Sequence, residues 1–265
     1  MSRLFAIQYL SDHLMRQRFF LEIMFDGTNY HGWQIQPNST TVQSRLESAL
    51  STILNQKINV VGAGRTDAGV HAKQMMAHFD SNISINTSKL IYRLNSFLEN
   101  EISVTNLFNV RSDAHARFDA ISRTYNYHIH YHKNPFLINK SWYFHKPLNV
   151  KLMNLAASKL LNYQDFTSFS KSNTQTKTNL CKVKYVLWQT VNNELLFTIE
   201  ANRFLRNMVR AIVGTLVAVG EQKISIAEFE SIVESKNREN AGFSVPAHGL
   251  YLSTIKYPES IFNGK

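Results

Sequence analysis

Apolar and polar positions alternate along this chain in blocks that predict short, distinct elements. Arg18 to Phe25 is rich in Phe and Ile and predicts a strand. From about Val42 to Leu54, Val42, Leu46, Leu50 and Ile53 recur at helical spacing, with Ser39 or Thr40 expected as the cap. Two strand-like runs follow, Ile58 to Val61 and Met75 to Phe79, the second ending near Asp80. A helix is expected from about Ser88 to Leu98, with Leu90, Ile91, Leu94 and Leu98 on one face. A strand from Ile102 to Val110 closes this half.

Asp113 to Asp119 breaks the periodicity and is the candidate link between halves. Beyond it, Tyr125, Tyr127, Ile129 and Tyr131 alternate with Asn126, His128 and His130, the period of a strand with one buried face. A helix is expected near Val150 to Leu161, carrying Leu152, Leu155, Ala156 and Leu160. Lys182 to Thr190 and Leu195 to Glu200 flank Asn192-Asn193 as a hairpin. A long helix from about Arg203 to Val219, a shorter one from Ser225 to Ser235 and a strand from Leu250 to Tyr257 complete the pattern. The first half reads β-α-β-β-α-β, a split βαβ or ferredoxin-like order, and the second mixes strands and helices comparably without a sequence repeat. The expected fold is α+β: two ferredoxin-like halves with mixed or antiparallel sheets, helices on one side, and an active-site cleft between them. The expected domains are 18–112, carrying the loop described below, and 113–265. Residues 1–17 form an extension, either a short helix or a disordered arm, and the polar stretch Lys171 to Thr178 is expected to be mobile.

Composition narrows the function. With 44% hydrophobic and 18% charged residues the chain can bury a substantial core. A net charge of +10 points to an anionic partner, nucleic acid ahead of an acidic membrane surface. Seventeen Phe, eleven Tyr and three Trp interleaved with that charge suit bases that stack and phosphates that pair. The single cysteine, Cys181, excludes an internal disulfide and a cysteine-based zinc site, and it reads as a small buried residue. No apolar run approaches the length of a membrane span, and Asp12 and His13 interrupt what a signal peptide keeps apolar, so a soluble cytoplasmic protein is expected. His128, His130 and His132 alternate on one strand face and His71 and His78 flank another strand, without the spacing of a metal site. No phosphate-binding glycine motif is present, so neither metal nor nucleotide cofactor is expected.

Candidate chemistry centres on Val61 to Ala72, where Gly62, Gly64 and Gly69 surround Arg65, Thr66 and Asp67. Such a loop is either a glycine-rich turn with a surface Arg/Asp pair or an active-site loop. On the long helix, Arg203, Arg206 and Arg210 fall at i, i+3 and i+7 of an otherwise apolar segment. The first two can be solvated at the helix start, whereas Arg210 lies a turn deeper and calls for an anionic partner.

The order G-R-T-D-A-G-V-H-A resembles, without a mismatch, the catalytic loop of the tRNA pseudouridine synthase A family. Further segments are similar to that family's motifs: Asp26 to Gln34, Asp113 to Asp119, Gln164 to Ser170, F-L-R-N-M-V-R from Phe204, and Val245 to Leu252, where Val245 replaces the usual alanine. The resemblance spans about Phe20 to Tyr257. It implies isomerisation of uridine to pseudouridine at positions 38, 39 and 40 in the anticodon arm of tRNA, by a homodimer. It assigns Asp67 as the nucleophile, adding to the sugar C1′ or to the base C6. Arg210 pairs with Asp67 and favours its ionised form, and Arg65 assists or fills the space left by a flipped base. Tyr125 stacks on the uracil, and Leu250 walls the pocket. Arg117, Arg203 and Arg206 are candidate substrate contacts, Arg117 equally readable as a solvated linker residue. The reaction has no redox change and calls for no cofactor.

Two rival classes stand beside it. A non-catalytic RNA-binding module of ferredoxin-like fold has no need of a carboxylate facing phosphates, which weighs against it. A metal-dependent nuclease would need clustered carboxylates, and Asp80 and Glu47, the nearest acids, lack ligand spacing.

Overall fold

The computed structural model describes residues 16–171 and 178–262. Residues 1–15 of the expected extension, and most of the polar stretch after Lys171, lie outside the described residues. The elements are strands β1 (Gln17–Phe25), β2 (Val61–Gly62), β3 (His71–Ser81), β4 (Ile102–Val110), β5 (Ser122–His130), β6 (Trp142–Tyr143), β7 (Val183–Val191), β8 (Glu194–Ala201) and β9 (Leu250–Lys256). The helices are α1 (Val42–Leu54), α2 (Thr87–Phe97), α3 (Val150–Lys159), α4 (Met208–Gly220) and α5 (Ile226–Glu234). None of the described helices is long and apolar enough to cross a membrane.

The chain forms two compact units. The first comprises residues 16–66, 72–121 and 255–262 of the described chain, and the second residues 67–71 and 122–254. In the first, β1 pairs antiparallel with β3 and β4, and β2 pairs antiparallel with β3, giving the order β4-β1-β3-β2. The core holds Phe19, Phe20, Leu21, Ile23, Leu46, Leu50 and Leu94. Thr41, rather than Ser39 or Thr40, caps α1, because its hydroxyl accepts the Ser44 N–H while Ser44 Oγ reaches back to the Thr41 N–H. Asn95 on α2 bonds both the N–H and the C=O of Val104, fastening the helix to β4 at 2.7 and 2.9 Å.

The segment expected to link the halves belongs to this unit. Arg18 donates to the Ala114 carbonyl (2.9 Å), the Ala116 N–H donates to His78 Nδ1 (3.1 Å), and Tyr257 donates to the Ala116 carbonyl. Those bonds fix residues 114–116, and the division falls after Ile121.

In the second unit the order is β9-β5-β8-β7, with β6 added parallel to β5. Counting the four main strands of each unit along the chain, both run 4-1-3-2. The β7–β8 hairpin turns at Asn192 (φ 50°) and Asn193 (φ 64°), the paired left-handed residues of a two-residue turn that matches strand twist. Helix α3 ends at Lys159, and a 3-10 turn, Leu160–Asn162, replaces its last turn. Its buried stripe is Met153, Ala156, Ala157 and Leu160, while Leu155 is 48% exposed.

The long helix is shorter than its periodicity predicts. It begins at Met208, because Asn207 sits in the left-handed region (φ 67°, ψ 2°) and cannot carry a right-handed helix back to Arg203. Asn207 is tied there by a side-chain hydrogen bond to Ser244 Oγ. Met208, Val209, Ile212, Val213, Leu216 and Val217 are buried as the pattern predicts.

Candidate active site

Asp67 opens a four-residue turn closed by the Val70 N–H on the Asp67 carbonyl (3.2 Å). Gly69 occupies the third position with φ +77°, the geometry that reserves this place for glycine in a type II turn. Of the loop's other glycines, Gly62 is required because a β-carbon there would overlap the Trp33 indole, while Gly64 has open space around it. The Trp33 backbone N–H donates to the Thr66 carbonyl (3.3 Å), so the segment that carries Trp33 fixes the lead-in to Asp67.

On its far side the loop is held by His71. Its Nε2 lies 3.1 Å from the His248 carbonyl, and its ring stacks on Tyr251 (4.6 Å, 24°). A carbonyl can only accept, so Nε2 carries the proton.

Two arginines converge on the Asp67 carboxylate. Arg210 Nη1 lies 3.3 Å from Oδ2, with the arginine side chain only 20% exposed. Its Nε donates to the Val245 carbonyl at 2.7 Å, so the planar fork is fixed at one edge while the other meets the acid. Arg206 Nε stands 3.8 Å from Oδ1 and its side chain is 57% exposed, a looser, more solvated partner. Arg206 comes within reach because it precedes α4 rather than lying on it.

Tyr125 lies on β5, half-buried, with its ring edge-on to Phe204 (5.1 Å, 86°). Burial pushes its hydroxyl up to about 12, opposed by Arg123 and reinforced by the negative charge of Asp67. At neutral pH it is therefore a phenol able to donate, beside a carboxylate near enough to act on it.

The remaining candidates are distributed differently. Leu250 is buried at the start of β9 within the second unit's core. Arg203, also ahead of α4, acts electrostatically on Cys181, whose thiol is pushed up to about 11 chiefly by burial. Arg65 is exposed and belongs to the first unit, as does Arg117, whose guanidinium lies 5.6 Å from the Phe118 ring centre. The structure thus brings together Asp67, Arg206, Arg210 and Tyr125.

Two participants escape sequence reasoning. Phe204 abuts Tyr125 only because the chain before Asn207 is not helical, which no periodicity reveals. The Val245 carbonyl that anchors Arg210 is a backbone atom and leaves no side-chain signal. The nearness of Val245-Pro246-Ala247 to Asp67's turn shows elsewhere too, since a β-carbon on Gly69 would stand 3.5 Å from that of Ala247.

Known proteins carry the same pattern. Residues 23–119 and 156–258 match the family described as tRNA pseudouridine synthase. A protein named tRNA pseudouridine synthase A from Azobacteroides pseudotrichonymphae is 49% identical over 245 residues, 92% of this chain and 98% of its own length. Its namesake from Bacteroides fragilis is 50% identical over 248 residues, 93% and 98% of the two chains. The one from Porphyromonas gingivalis is 48% identical over 249 residues, 92% and 99%. With three quarters of its length matching the family and relatives near half identity end to end, this chain belongs to the tRNA pseudouridine synthases, isomerases that convert uridine to pseudouridine.

Proposed function

We propose that this protein isomerises uridines 38, 39 and 40 in the anticodon arm of tRNA, with Asp67 as the nucleophile. The observation that carries the reading is the Asp67 carboxylate held at 3.3 Å by a half-buried Arg210, on a turn that glycine alone adopts without strain.

The chemistry needs a carboxylate that attacks C1′ of the sugar or C6 of the base, and the two arginines face its two oxygens. The N1–C1′ bond breaks, the uracil turns, C5 bonds to C1′, and the bond to the Asp67 carboxylate is broken to free the enzyme. The C5 proton is lost and N1 ends with a proton, so the atoms balance without an oxidant or a cofactor. Tyr125 offers an aromatic face to the extruded uracil while its hydroxyl stays protonated to donate. In this reading Arg206 meets a substrate phosphate, Leu250 walls the pocket, and Arg65, Arg117 and Arg203 add positive charge along the RNA.

The finer architecture belongs to the same proposal. A ferredoxin-like fold for each half is supported by the shared 4-1-3-2 strand order. Action as a homodimer in the cytoplasm rests on resemblance to the family.

Tritium release from tRNA labelled with 5-[³H]uridine tests the reading, comparing wild type with Asp67→Ala in excess EDTA. Tritium leaves only when C5 becomes bonded to the sugar. Release by wild type and none by the variant, with tRNA binding retained, is the expected outcome. Failure of wild type to release tritium from several unmodified tRNAs would leave only an RNA-binding module.

A further inference from the structure

From Ala120 to Gln164 the chain carries no aspartate or glutamate, while Arg123, Lys133, Lys140, Lys146, Lys151 and Lys159 all fall within it. Of these, Lys159 pairs with Glu230 at 3.1 Å. In the middle of this basic segment, between β5 and β6, the chain makes a turn that presents two large apolar side chains to water. Phe136 is 89% exposed and Ile138 66%.

The turn is not loosely built. Asn134 caps it, its side chain accepting from the Phe136 N–H (3.0 Å) and its carbonyl from the Leu137 N–H (3.2 Å). The Lys140 and Ser141 N–H groups return to the Leu137 carbonyl at 3.0 and 3.2 Å. Tyr251 on β9 donates to the Lys140 carbonyl at 2.8 Å, and β6 then locks onto β5. Much of the ordering cost of this turn is thus met by its own bonds, and its exposed phenyl ring is preorganised for a partner.

We infer that the turn around Phe136 is a docking surface for the RNA strand of the substrate, Phe136 stacking on an unpaired base and Lys133 meeting a phosphate. The inference rests on the tRNA reading above and adds a contact region to it. Charge decides between occupants. A two-fold contact between copies of this chain at the turn would set Lys133 and Lys140, which flank Phe136 in sequence, against their own copies, and the stretch from 120 to 164 holds no carboxylate to answer them. An RNA strand supplies a phosphate for Lys133 and π-faces for the phenyl ring.

The test measures tRNA affinity and the single-turnover rate at saturating tRNA, using the full chain and an unmodified tRNA transcript over a range of salt. Phe136→Ala is expected to raise the dissociation constant by about 5- to 50-fold with the saturated rate unchanged, and Phe136→Trp to restore affinity. Lys133→Gln is expected to lower the log–log salt slope by about one. Equal melting temperatures establish that the variants fold. Wild-type affinity in Phe136→Ala overturns this inference and leaves the enzyme reading intact. So does a fall in sedimenting mass on that substitution, which would assign the face to a second copy. Wild type that fails to bind tRNA overturns both.

Discussion

Arg210 and Val245 hold each other twice: the Arg210 Nε donates to the Val245 carbonyl at 2.7 Å, and the Val245 N–H donates to the Arg210 carbonyl at 3.3 Å. Side chain and backbone of one residue are thus clamped to the backbone of the other. The guanidinium has little freedom left, and its remaining edge points at Asp67.

A lysine at this position can satisfy either the carbonyl or the carboxylate, not both in one plane. Arg210→Lys is expected to lower the single-turnover rate roughly 10- to 100-fold, the scale on which small displacements of a reacting group act. Stability should fall by about 1 kcal/mol for the lost carbonyl bond. A rate within twofold of wild type would show that the clamp does not position Asp67.

Gly69 tests the turn itself. Its φ of +77° costs a side chain about 1–2 kcal/mol, least for asparagine. Gly69→Ala should lose that much stability or flip the turn, and a flipped turn aims Asp67 elsewhere. Tritium release should then fall while tRNA affinity holds, with Gly69→Asn retaining more activity than Gly69→Ala. Equal activity in both variants would mean that the turn tolerates another conformation.

His78 makes stability depend on pH. Burial lowers it from 6.5 to about 4, helped by Arg18 and His115 and opposed by Asp80 and Asp119. Its Nδ1 must stay unprotonated to accept the Ala116 N–H. The folded state therefore binds fewer protons here than the unfolded chain. The contribution is complete above pH 6.5 and declines by about 1.4 kcal/mol per pH unit as pH falls toward 4. Urea unfolding between pH 7.5 and 4.5 should show this decline in wild type and a shallower one in His78→Gln. Buried or partly buried His115, His130 and His248 are shifted the same way, so the difference between the two proteins is the diagnostic quantity.

Much of this protein is legible in its sequence. Local patterns place α1 and β4 to the residue, because periodic burial of Val42, Leu46 and Leu50, or of Ile102, Val104 and Val110, is written in neighbouring positions. The paired asparagines announce their hairpin for the same reason, and the loop around Asp67 is recognisable by its order of residues alone.

Other features depended on groups far apart in sequence. Apolar spacing extends the last long helix back to Arg203, but a left-handed Asn207, held by Ser244, ends it, and this releases Phe204 toward Tyr125 and Arg206 toward Asp67. The segment 113–119 reads as a linker by its lack of period, yet Arg18, His78 and Tyr257 bind it into the first unit. Asp67 lies between two segments of the first unit in sequence but joins the second, where Arg210, 143 residues later, meets its charge. Sequence determined the family and most of the elements, since both are written in short stretches. That Arg206 also reaches the carboxylate, and how rigidly Arg210 is held, was decided by long-range hydrogen bonds, from Asn207 to the Ser244 hydroxyl and from Arg210 to the Val245 carbonyl, pairings that no local pattern announces.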